Sequence, residues 1–184
     1  MITMLDARSI TNLIAEQGVQ SSGQIFFVNN STTAKLPGAA VASDTNYDDW
    51  GKSPEKPFST IDYAIGQCTH DRADIVYVLP GHSETFTAAS GSATAGITLD
   101  VRGVALVALG EGDQRPKLLA NFSVSTIDLI EVTADSCRIK NFIFSASTTA
   151  APEARIDLAQ TDCIVEDCRF DCGAFDTQSI TIVA

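Results

Sequence analysis

Three stretches of the chain repeat one apolar pattern, and this repeat constrains the fold more than any other feature. Ile97 and Leu99 are followed by Val104, Leu106 and Leu109; Ile130 and Val132 by Cys137, Ile139, Phe142 and Phe144; Ile156 and Leu158 by Cys163, Val165, Cys168 and Phe170. Counted from the first residue of each set, the apolar positions fall at +2, +7, +9 and +12, with an aromatic at +14 in the last two. Ile180 and Ile182 open a fourth copy, and successive copies start 33, 26 and 24 residues apart. Period-2 alternation marks strands with one buried face. Short strands recurring at such a period stack into a solenoid whose rungs bury a common core. The expectation is a parallel β-helix.

Composition narrows the class. The 184 residues suit one sizeable core, and the net charge of −11, from 12 basic and 23 acidic residues, disfavours phosphate backbones. No nucleic-acid partner is expected. Polar residues interrupt every apolar run well before the ~18 residues a membrane span needs, so no membrane partner is expected either. Met1–Asp6 lacks the basic, apolar start of a secretion signal, which predicts folding in a cytoplasm. The odd count of cysteines (68, 137, 163, 168 and 172) argues against a disulfide framework. Cys137, Cys163 and Cys168 fall on the buried register and read as small core hydrophobes.

Ahead of the repeat, Asp6–Gln17 reads as a helix, capped by Asp6, striped by Leu5, Ile10, Leu13 and Ile14, and stopped by Gly18. A Ser-Ser-Gly joint at Ser21–Gly23 separates it from the strand Ile25–Val28, giving an arm that covers the first rung or docks on a partner. Residues 29–56 read as a surface loop. A second helix begins at Ser59 or Thr60, with Ile61, Ala64, Ile65 and Cys68 on one face, and should close the open end of the stack. Ile75–Leu79 reads as a strand; with Val76 and Val78 inward it sits 28 residues below Val104 and Leu106. Residues 85–95 and 145–154 read as protruding loops. The organisation is an arm over 1–22, a cap region over 23–74 and parallel rungs over 75–184.

The run Gly51 to Ile65, containing Pro57-Phe58-Ser59-Thr60-Ile61, followed by Asp74-Ile-Val-Tyr-Val-Leu-Pro80-Gly81, resembles the start of the pectin-lyase-like superfamily. Gly103 to Gly112 and Arg115-Pro116 resemble that superfamily's next turn, and Phe27–Phe144 resembles uncharacterised β-helix proteins of tailed bacteriophages. The resemblance implies an all-β, right-handed single-stranded parallel β-helix with an N-terminal helix and a capping helix. It also implies a virion structural protein, either a capsid decoration or a tail-associated component. Other virion proteins would be its partners, and homotrimer is the first choice of assembly, by analogy with phage spikes.

Catalysis is the competing expectation. Polygalacturonase-like members of the superfamily use clustered Asp residues with Gly-His-Gly and Arg-x-Lys; this chain has Arg138-Ile139-Lys140, but Gly81-His82 continues into Ser83. His70 and His82 fall in expected loops. Asp157, Asp162, Glu166 and Asp167 lie on the repeat and offer a paired-carboxylate site, although acids alternating with apolar residues suit a solvated outer face. Asp44 to Gly51, with Glu55 twelfth from Asp44, has the oxygen spacing of a calcium loop with its glycine two residues late. Trp50 and Tyr47 should pin that loop. Gly110-Glu111-Gly112 reads as a turn, and the three later cysteines lack zinc-ribbon spacing. The expectation is no catalytic, cofactor or metal residue. The alternative is a polysaccharide-binding or depolymerising lyase or hydrolase, a receptor-binding protein with exposed aromatics along one face.

Overall fold

In the computed structural model, residues 7–18, 21–31, 40–45, 49–87, 95–122, 127–146, 156–171 and 180–182 are described. Helix α1 (Ala7–Gln17) precedes strand β1 (Ile25–Val28), then the short helix α2 (Ile61–Ile65) and β2 (Ile75–Val78). The strands that follow are β3 (Ser83–Phe86), β4 (Ala95–Leu99), β5 (Ala105–Ala108), β6 (Lys117–Ala120) and β7 (Asp128–Val132). After them come β8 (Arg138–Lys140), β9 (Ile143–Ala146), β10 (Ile156–Leu158), β11 (Ile164–Glu166), β12 (Arg169–Asp171) and β13 (Ile180–Ile182). From β2 onward the chain visits three sheets in one cyclic order, giving the stacks β1-β2-β5-β8-β11, β3-β6-β9-β12 and β4-β7-β10-β13. Every strand-to-strand pairing among the described residues is parallel. The molecule is a parallel, solenoid-like all-β stack.

The repeat read from the sequence sets the columns. Ile97, Ile130, Ile156 and Ile180 are successive register partners. Leu106, Ile139 and Val165 form a second column, and Phe144 and Phe170 stack with ring centroids 5.1 Å apart. Ile97, Ile130, Ile156, Leu106, Ile139 and Phe144, with Phe26, Val28, Val76, Val78 and Leu118, build one inner core, against which Val165 and Phe170 pack.

Four expectations are corrected. The first copy carries an insertion: Leu109 does not stand opposite Phe142 as the repeat predicts, because Leu118 is the partner of Phe144 and lies 26 residues before it, although Leu106 lies 33 before Ile139. The seven extra residues lie between β5 and β6, around the 3-10 helix Gly112–Gln114, and Leu109 faces outward. Val76 pairs with Leu106 rather than Val104, an offset of 30 residues rather than 28. Residues 85–95 are not wholly loop, because β3 runs to Phe86 and β4 begins at Ala95. The ladder opens at β1, which pairs with β2, well ahead of the expected start of the rungs at residue 75.

The N-terminal helix is not a detached arm over the first rung. Ile10, Leu13 and Ile14 pack onto a second apolar cluster on the outer face of the first sheet: Phe27, Ile75, Tyr77, Leu79, Ala105, Val107 and Leu109. Strands β2 and β5 are therefore buried on both faces. Where this apolar face ends, β8 presents Lys140, whose Nζ donates to the Gln17 carbonyl at 3.0 Å. The expected Leu5 and Asp6 contacts of this helix lie outside the described residues. Helix α2 begins where expected, with Ile61, Ala64 and Ile65 in the inner core. Its leading amides are held by Asp44, whose Oδ1 accepts from Ser59 and Thr60 N–H at 2.9 and 3.1 Å. The β1 edge that faces away from β2 is closed by backbone hydrogen bonds to Gly51 and Phe58.

Candidate functional site

The rung corners are built from residues in the left-handed backbone region. Gly103, Ser136 and Asp162 (φ 78°, 58° and 58°) occupy one corner, and Asn141 and Asp167 (68° and 55°) another. Side chains at and beside these positions bond an adjacent rung. Thr161 donates to Asp135 Oδ1 through N–H and Oγ1 at 3.0 and 2.9 Å, and Ser136 Oγ donates to Asp162 at 3.1 Å. Arg102 Nη2 reaches Asp71 at 2.6 Å, and both carboxyls are held below the ordinary carboxylate range by these bonds. Asn141 Nδ2 donates to the carbonyls of Ala108 and Gly110, each at 3.0 Å. The sequence reading placed Asp162 and Asp167 on the repeat but overlooked Ser136, Asn141, Asp135 and Thr161. The 26-residue spacing that sets the apolar columns also relates Ser136 to Asp162 and Asn141 to Asp167, and was the available signal.

The insertion and the end of α1 enclose an open polar cleft of about 320 Å³, floored by Lys140, Asn141 and Asp167 and walled by Glu16, Glu111 and Arg115. Arg115 Nη1 donates to the Asp167 carbonyl at 2.8 Å, and its Nε to the Gly112 carbonyl at 3.3 Å. Glu166 Oε1 lies 3.5 Å from both Arg138 Nη1 and Lys140 Nζ, close enough for charge attraction but without hydrogen-bond geometry. Lys140 also lies 3.6 Å from Asp167 Oδ2. Of the sequence candidates, Arg138, Lys140, Glu166 and Asp167 thus converge. Asp162 does not join them, and Asp157 lies in the third sheet beside its register partner Glu131. Each converging carboxylate is paired with a cation, Glu166 with Arg138 and Lys140 and Asp167 with Lys140.

His82 lies outside the strands, between β2 and β3, as expected. Its side chain is fully buried, Nδ1 accepts the Asn30 N–H at 3.1 Å, and Nε2 contacts Glu84 Oε2 at 3.1 Å. Since Nδ1 accepts, Nε2 carries the proton and donates it to Glu84. Glu84 also accepts from the Ile61 N–H at 3.3 Å, so the pair joins β3 to α2. His70 is exposed, and its Nδ1 accepts from the Arg102 N–H at 3.1 Å.

The calcium reading fares likewise. Both Asp44 oxygens are committed, Oδ2 to the Thr60 hydroxyl at 2.8 Å, and Asp49 pairs with Lys52 at 3.1 Å. Glu55 is exposed, and Tyr47, with positions 46 and 48, lies outside the described residues. Among the described residues no cluster could hold a metal ion, and no helix is long and apolar enough to cross a membrane. Trp50 packs against the core, as expected. Cys163 and Cys168 are half-buried against it, and burial raises the Cys168 thiol; Cys172 lies outside the described residues. Gly110 to Gly112 opens the insertion as a turn into the 3-10 helix. No protein family, curated protein or solved structure matches this chain.

Proposed function

We propose that the chain is a right-handed single-stranded parallel β-helix, closed at its first rung by α2, that serves as a non-catalytic structural component of a bacteriophage virion. One observation carries the structural reading: the polar side chains at the described corners bind the neighbouring rung. Arg102–Asp71, Thr161–Asp135 and Ser136–Asp162 each tie adjacent rungs together, and Arg115 reaches past one rung to the Asp167 carbonyl. Such ties stiffen the body. The resemblance of Phe27–Phe144 to phage β-helix proteins supports the virion, as capsid decoration or tail-associated part. Mass spectrometry of purified particles, with copy number relative to the major capsid protein, tests this, and absence from particles would overturn it.

A homotrimer or a neighbouring virion protein fits the far side of the stack. There Ile164 is 42% exposed, and Val165, Cys168 and Phe170 are half-buried where Ile139, Phe142 and Phe144 one rung earlier are fully buried. Sedimentation across micromolar concentrations tests self-association.

The polysaccharide reading rests on the polar cleft beside Lys140. Against it, Trp50 and Tyr63 pack on the core and Tyr77 is buried, so the described aromatics offer no sugar-stacking platform. Release of reducing or unsaturated ends from capsular polysaccharide by the purified protein would favour it.

A further inference from the structure

Cys137 and Cys163 immediately precede the paired strands β8 and β11. The Ile164 N–H donates to the Cys137 carbonyl at 2.9 Å, which places the two cysteines one above the other in adjacent rungs. Both point into the inner core, Cys137 buried and Cys163 half-buried. Their thiols repeat one geometry. Cys137 Sγ donates toward the Val101 carbonyl at 3.5 Å, and Cys163 Sγ toward the Ala134 carbonyl, one rung on, also at 3.5 Å.

We propose that Cys137 and Cys163 form a reversible cross-rung disulfide when the protein meets an oxidised low-molecular-weight disulfide. Strand spacing of about 4.8 Å puts their Cα atoms within the range disulfides span, roughly 4.4–6.8 Å. The Cβ atoms must approach by about 1 Å to reach their usual separation of ~3.8 Å. That strain keeps the bond reducible, so it opens in a reducing cytosol and closes in an oxidising medium.

The step proceeds by two exchanges. The accessible Cys163 thiolate attacks the small disulfide and expels one thiolate, leaving a mixed disulfide. The Cys137 thiolate then attacks the Cys163 sulfur and expels the second. Two protein thiols are oxidised to one S–S bond, one small disulfide is reduced to two thiols, and the protons follow the departing thiolates. Burial, with the nearby Cys163, pushes the Cys137 thiol up to about 11, so closure is slow near neutrality. Its rate should rise about tenfold per pH unit between pH 7 and 9, following the thiolate fraction.

The test incubates the folded protein with glutathione disulfide, blocks free thiols, and reads intact mass and peptides. Digestion after Arg and Glu separates Cys163 from Cys168, since Glu166 lies between them. After blocking, the expected product carries two fewer blocking groups than the reduced protein, and its digest joins the Cys137 and Cys163 peptides. It reverts with dithiothreitol, and it is lost in both Cys137→Ser and Cys163→Ser but kept in Cys168→Ser. Stable mixed-disulfide adducts, a bond between other cysteines, or no oxidation at pH 9 would each overturn the proposal.

Discussion

The Arg72 guanidinium grips the fully buried Asp74 carboxylate in a two-point pair, Nε to Oδ1 and Nη2 to Oδ2, each at 2.7 Å. The same carboxylate accepts from the Gln24 and Thr69 N–H groups at 2.7 and 2.8 Å, joining the lead into β1 to the lead into β2. Burial pushes this carboxyl up, but Arg72 and the two amides outweigh it and hold it below its ordinary 3.8. A depressed folded pKa means the stabilisation is complete above the unfolded value and is lost as pH falls through the folded one. Asp74→Asn should cost about 3 kcal/mol at pH 7. The gap between variant and wild type should narrow below pH 4. Urea midpoints from pH 7 to pH 3 check this, and parallel curves would refute it.

Ile139 sits between Leu106 and Val165 in one column and is 1% exposed. Ile139→Asp places an unpaired charge in apolar surroundings and should cost more than roughly 4 kcal/mol. Val165→Asp should cost about half as much, because that position is half-buried and its carboxylate can reach water. Equal melting temperatures for the two variants would sink the column.

Gly51 has φ +74°, and a Cβ there would lie 2.0 Å from Phe58 Cε2 in the inner core. Gly18 has φ +65° with nothing within 4 Å of a Cβ. Gly18→Ala should therefore show only the left-handed backbone cost, about 1 kcal/mol. Gly51→Ala adds displacement of a buried ring and should cost about 3 kcal/mol. Thermal unfolding of the two variants separates the contributions.

The acids on the repeat allow a direct test of catalysis. Asp162 and Asp167 occupy left-handed corners that asparagine also tolerates. Asp157 has a buried Oδ1 with no hydrogen-bond partner among the described residues. Replacing all three with Asn should change the melting temperature by only a few degrees and leave particle binding intact. Polysaccharide cleavage by the wild type, absent from this variant, would promote the enzyme reading.

The inner columns were legible because polar residues flank them from the second copy onward, as Glu131 and Asp157 do between their apolar neighbours. Legibility failed where α1 covers the first sheet. Ile75, Tyr77, Ala105 and Val107 face that helix, so β2 and β5 read as continuous apolar runs, and alternation cannot distinguish a register from one shifted by two residues. Leu109 misled for the same reason, standing where an inward Phe142 stands in the next copy. β3 was invisible because Glu84 occupies the inner register of Leu118, Phe144 and Phe170. That carboxylate is compatible with its place through His82, two residues before it, and the Ile61 amide, 23 residues before it, and the second partner lies beyond any local pattern.

The cover on that sheet has one polar fastening at its far end. Helix α1 has no basic residue in its last turn, and the cation there comes instead from β8, where Lys140 Nζ meets the Gln17 carbonyl at 3.0 Å. A cation at a helix C-terminus satisfies an otherwise open carbonyl and opposes the negative end of the dipole, worth about 1 kcal/mol when partly buried. Lys140→Met keeps most of the apolar stem and removes the charge. The Ile10, Leu13 and Ile14 contacts stay, so the helix should remain docked with a loosened last turn. Amides near Gln17 should exchange about fivefold faster, while those of β8, bonded to β5 and β11, should not change. Uniform acceleration across β8 would mean that Lys140 supports the sheet instead, and unchanged exchange at Gln17 would mean that the apolar contacts alone hold α1 in place.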